Sequence, residues 1–79
     1  MKLIGKVSVP TEEEGTKIFE AIITENKETF DIELYEVFSD GTKGENLLLG
    51  QWASSLGSAK RRINQSTGIK SNYWKWKEI

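Results

Sequence analysis

The chain has 79 residues, 37% apolar and 29% charged, with a formal net charge of −1, which is the composition of one folded domain, 1–79, with a single small core. It has no cysteine and no histidine. That excludes a disulfide scaffold and thiol chemistry, and removes the commonest general base and metal ligand.

The near-neutral total hides a split. Residues 1–51 hold five lysines against eleven acids, a net −6, whereas residues 52–79 hold six basic residues against Glu78 alone, a net +5. Such an asymmetry points to a charged partner for one half, or to two halves that lie together and partly neutralise each other.

Lys2–Val9, KLIGKVSV, alternates with Leu3, Val7 and Val9 on one side, so it reads as a half-buried strand that Pro10 stops. Thr11 and Glu14 have capping-box spacing, but Gly15 leaves space for one turn at most; residues 10–16 read as a loop. Lys17–Glu25 is the second strand, with Phe19, Ala21 and Ile23 on one face. Asn26–Lys27 supplies a tight turn, since Asn tolerates a left-handed backbone. Thr29–Phe38 is the third strand, with Phe30, Ile32, Leu34 and Phe38 on one face. The run SDGTKG (39–44) is a turn, and Leu47–Leu49 resumes as a short strand ending at Gly50.

A helix follows, capped by Ser54 or Ser55. Leu56, Ala59 and Ile63 make one apolar stripe. Gly57 weakens the first turn by about 1 kcal/mol relative to alanine. Gly68 closes the helix in a left-handed conformation, folding Ile69 back near Ile63. Ser58, Arg61 and Gln65 project opposite the stripe, with Arg62 on the flank. Asn72–Ile79 reads as a last strand with Trp74 and Trp76 on its core face. The expected fold is α+β: a mostly antiparallel meander of three to four strands, one packed helix and a C-terminal strand, β-β-β-(β)-α-β. The expected core is Leu3, Val7, Phe19, Ala21, Ile23, Phe30, Ile32, Leu34, Leu47, Leu49, Leu56, Ala59, Ile63, Trp74 and Trp76. Trp52, beside a loop, is the tryptophan expected to be most exposed.

The strand order and the approach LLLGQW…SAKRRI to the helix resemble the small sheet-plus-helix DNA-binding domains of the integrase arm-binding and AP2 type. The resemblance implies a sheet-plus-helix fold. Those families carry basic residues on the sheet where this chain carries acids, so no residue role follows from it.

Glu20, Asp31, Glu33 and Glu36 sit on neighbouring strands, and paired carboxylates do acid–base work or hold a cation. Here they are expected at the solvent face, with nothing to shift their affinity for protons. No Gly-rich phosphate loop is present; Gly41 and Gly44 are turn glycines. The chain is therefore read as a non-enzyme without metal or cofactor. Lys60-Arg61-Arg62, Gln65, Lys70 and the run Tyr73-Trp74-Lys75-Trp76-Lys77 interleave basic charge with aromatics, which is what neutralising phosphates and stacking on bases requires. Lys60, Arg61, Arg62, Gln65, Lys70, Tyr73, Lys75 and Lys77 are the candidate DNA- or RNA-binding residues. The plain alternative is a solvated helix face, its arginines favoured by the helix dipole. A rival function is a protein-interaction module or inhibitor, a nucleic-acid mimic whose acidic sheet face offers Glu20, Asp31 and Glu33 to a basic protein. The chain is expected to be a monomer or homodimer. No apolar run approaches a membrane-spanning length, and the start MKLIGKVSVP does not read as a signal peptide. The expected location is cytoplasmic, away from membranes.

Overall fold

Alternation of apolar and polar residues lays down three long strands, and a helix seals one side of them. The computed structural model describes residues 1–13 and 15–79. Strands β1 (Lys2–Thr11), β2 (Gly15–Asn26) and β3 (Thr29–Val37) form an antiparallel meander. Strand β4 (Trp52–Ala53) pairs outside β3, and β5 (Lys75–Glu78) returns to pair outside β1, giving the order β4-β3-β2-β1-β5. Between β4 and β5 runs α1 (Leu56–Thr67), followed by a 3-10 turn at Ser71–Tyr73. The α+β fold expected from the sequence is the one observed.

The first hairpin is longer than the alternation indicated. Pro10, Thr11, Gly15 and Thr16 are strand rather than loop, Pro10 pairing with Thr16 and Thr11 with Gly15, and of the expected loop Glu12 and Glu13 form a turn. Glu14, on which the capping-box spacing depends, lies outside the described residues. Register explains why Pro10 does not end β1. Ile79 N–H donates to Lys2 C=O and Glu25 N–H to Met1 C=O. Even-numbered residues of β1 therefore turn their backbone toward β5 and odd-numbered ones toward β2. Pro10 is even and lies beyond Lys6, the last residue β5 pairs, so its missing donor leaves no bond unmade. In the second hairpin Asn26 pairs with Thr29. The left-handed residue is Lys27 (φ 57°), not Asn26.

Leu47–Leu49 is a turn rather than a strand. Asn46 Oδ1 accepts from both Leu34 N–H and Leu48 N–H, each at 3.0 Å. The side chain thus takes the place of a pairing strand and curls the chain inward. Leu48 is consequently the buried leucine, at 3% exposure, while Leu47 and Leu49 are exposed, correcting the expected core. The last strand starts at Lys75 rather than Asn72, because Ser71–Tyr73 closes a 3-10 turn first.

Helix α1 follows its capping signals. Ser55 Oγ accepts from Ser58 N–H (3.1 Å), and Gly68 (φ 72°) donates to Asn64 C=O (2.8 Å). Ala59 and Ile63 of the stripe meet Ala21, Ile23, Ile32 and Leu34 of the sheet, with Leu48, Ala53, Val7 and Trp74 completing the core. Three alanines in this layer let the helix approach closely. Beside the helix, Trp74 and Trp76 stack with centroids 5.6 Å apart, and Trp76 lies flat over Gly5. A Cβ on Gly5 would stand 2.7 Å from the indole carbons.

Candidate functional site

Because Leu56, Ala59 and Ile63 face the sheet, the residues between them face solvent. Ser58, Arg61, Arg62, Gln65 and Ser66 form that outer surface, and Gln51, just before β4, leans over to meet it. Arg62 donates to Gln51 Oε1 at 3.2 Å. These residues line a shallow groove that continues across Gly50–Ser54 beside β4. Among the described residues no carboxylate lines it. Among the described residues neither Arg61 nor Arg62 is ion-paired. The arginines sit mid-helix and the last turn holds no basic residue, so the helix dipole does not account for them. Gln51 is a groove residue that helical periodicity had no means of finding, since its place depends on where β4 joins the sheet.

The eight candidate residues do not converge on one surface. Lys60, Arg61, Arg62 and Gln65 share α1, with the Lys60 ammonium 5.4 Å from the Trp76 ring centroid. Lys70 and Tyr73 lie past the helix, where they border an apolar pocket with Val7, Val9, Pro10 and Ile69. Lys75 and Lys77 flank Trp76 on β5, and Trp76 is opposite Gly5 on the helix side of the sheet. Alternation therefore sends both lysines to the other face. The helix and the C-terminal strand do not form a continuous basic surface.

That other face is open, and it is less acidic than the sequence suggested. Cross-strand pairing sets Lys75, Lys6, Glu20 and Tyr35 in one row, and Lys77, Ile4, Ile22 and Glu33 in the next. Glu20 is buried at 6% exposure. Its carboxylate pairs with Lys6 at 3.7 Å and with Lys43, whose ammonium also lies 5.4 Å from the Tyr35 ring centroid. Asp31 and Glu33 remain as the acids a basic partner would meet. Tyr35 donates to Glu33 Oε1 at 2.6 Å. That bond first, then burial and the surrounding negative charge, raises the phenol above its ordinary value. Trp52, opposite Asp31 on β4, is 56% exposed. Charge therefore runs from basic at the β5 edge to acidic at β3.

Among the described residues no cluster of three or more acids is arranged to hold a metal ion, and no helix is long and apolar enough to cross a membrane. A scan against protein-family models, a search of curated proteins and a search of solved structures found nothing that matches this chain.

Proposed function

We propose that the outer face of α1 binds nucleic acid. The observation that carries this reading is the pair of guanidiniums, Arg61 and Arg62, lying unpaired by acids among serine and glutamine donors on one exposed helix face. Arginine neutralises phosphates and displaces their counterions. Ser58 and Ser66 add phosphate donors, and Gln65 is long enough to reach a base edge. Lys60 on the helix and Lys70 just past its end add to the positive field. Lys75 and Lys77, on the far side of the sheet, join only if the ligand wraps the domain. A role of this kind goes with a cytoplasmic location, which cell fractionation checks.

The test is an anisotropy titration of labelled single- and double-stranded DNA and RNA at several salt concentrations. The expected result is a log K that falls with log salt, by about 0.9 per duplex phosphate neutralised. Replacing both Arg61 and Arg62 with alanine removes the binding. No binding tighter than about 10⁻⁴ M near physiological salt overturns the proposal.

A second reading rests on Trp52. Exposed beside Asp31 and Glu33, it has the makings of an aromatic anchor for a basic protein partner. In that case Trp52→Ala abolishes capture of the partner and the Arg61/Arg62 replacement leaves it intact.

A further inference from the structure

We infer that the outer edge of β5, with Lys6, Lys75 and Lys77 beside it, accepts an extended acidic peptide as a sixth strand. On β5, residues 75, 77 and 79 turn their backbone toward β1; Lys75 lies opposite Lys6, Lys77 opposite Ile4, and Ile79 N–H donates to Lys2 C=O. Trp76 and Glu78 therefore present their N–H and C=O groups outward, at the end of the sheet, with no strand beyond β5 among the described residues. An open edge of this kind is a template for strand addition.

The side chains beside that edge say what kind of strand fits. Lys75 and Lys6 are directly opposite, a like-charge pair that costs stability on an antiparallel ladder. Lys77 stands one place along on the same face. Among the described residues the acidic side chain beside Lys6 on the neighbouring strand, Glu20, is already shared by Lys6 and Lys43. These groups surround a surface pocket floored by Ile4 and Ile79. Two acidic side chains two residues apart on an incoming strand would lie opposite Lys75 and Lys77. They would relieve the repulsion with Lys6, while the residue between them would turn to the Trp76 side of the sheet, where an aliphatic side chain packs.

A second copy of this chain does not fit. Any antiparallel register that engages both Trp76 and Glu78 with another β5 sets Lys77 against Lys75 or Lys77 of that copy. At the opposite end of the sheet, the edge of β3 is covered by backbone from Gly44, Leu47 and Gln51. The lysines that turn away a like strand are the ones that select an acidic strand.

The test is a titration of the ¹⁵N-labelled full chain with an eight-residue peptide of alternating glutamate and valine. The expected result is slowed hydrogen exchange at the Trp76 and Glu78 amides, with affinity weakened about tenfold by Lys75→Glu together with Lys77→Glu. The Arg61/Arg62 replacement leaves it unchanged, which separates this edge from the helix surface. The same peptide N-methylated at alternate residues loses binding to the unaltered protein, a control that does not depend on any variant folding. Absence of protection at Trp76 and Glu78 overturns the inference. So does equal binding of the N-methylated peptide, or of an oligonucleotide of equal charge that displaces the peptide, because the lysines are then a general polyanion patch.

Discussion

Both faces of the sheet carry isoleucine, and only one is a core. Ile23 and Ile32 are sealed beneath α1, whereas Ile4, Ile18 and Ile22 lie half-buried on the other face around the Glu20 ion pairs. Apolar content does not separate the two. What separates them is the cover, because an amphipathic helix with Ala59 and Ile63 on its stripe docks where Ala21 and Ala53 leave space. The sharpest way to break this comparison is Leu34→Ala against Ile22→Ala. Leu34 is fully buried, and its truncation is expected to cost about 2–5 kcal/mol, a large part of a small domain's stability. Ile22→Ala should cost about 1 kcal/mol or less, because its surroundings are partly water already. Urea denaturation reads both. Equal losses would mean that the open face is covered in solution.

The seam beside the helix offers the next effect. Gly5→Ala drives a methyl into the Trp76 ring and should cost about 1–3 kcal/mol. The near-UV circular dichroism of the Trp74–Trp76 stack should change with it. Gly57→Ala is the counterpart, since the added methyl meets nothing within 4 Å in the first turn of α1. It should stabilise by about 0.5–1 kcal/mol. A silent Gly5→Ala would mean that Trp76 does not rest on the sheet.

Where the sequence could be read, one local rule decided the outcome. Alternation located β1, β2 and β3, and the Ser55 cap, the apolar stripe and Gly68 located α1, because each signal lies within a few residues of its effect. Leu47–Leu49 went the other way because Asn46 reaches across to β3, a bond set by tertiary register. Trp52 joins the sheet for the same kind of reason, through its place opposite Asp31. The candidate site was legible as far as the outer face of α1. Its extension to Lys75 and Lys77 failed as a single surface, because charge counted along a chain does not say on which side of a sheet it falls. Glu20 looked like surface acid for the same reason, since its partners Lys6 and Lys43 are distant in sequence.

Glu20 also sets the third test of how the two faces differ. Glu20→Gln keeps the shape and leaves Lys6 and Lys43 without their carboxylate. Both ammonium groups still reach water, so the cost should be about 1 kcal/mol. Glu20→Leu should come out level with the unaltered protein or above it, because a leucine would join Ile22 and Ile18 and remove a desolvated charge. A loss larger than that of Glu20→Gln would mean that the ion pairs, rather than half-burial, hold the open face together.

The smallest effect concerns the turn that carries Lys43 to Glu20. Thr42 donates to Asp40 Oδ1 through both its hydroxyl (2.6 Å) and its backbone N–H (3.0 Å). The hydroxyl bond first, then the backbone bond, holds the Asp40 carboxyl below its ordinary value of 3.8. A carboxyl depressed in the folded state stabilises it above the unfolded value, and that contribution is lost as pH falls through the folded one. The window therefore lies in acid, below about pH 4. Asp40 is fully exposed, so the readout is its own titration by carbonyl NMR rather than a melting point. Thr42→Val removes the hydroxyl and keeps the N–H, and should return Asp40 part of the way toward 3.8. Phe38 N–H also donates to Thr42 C=O, and Val37 bridges to Lys43. Loosening the turn thus frees Lys43 from Tyr35 and Glu20 while Ile63, on the buried stripe of α1, stays unmoved. An Asp40 that titrates at its ordinary value would mean that the turn is open in solution, leaving Glu20 to Lys6 alone.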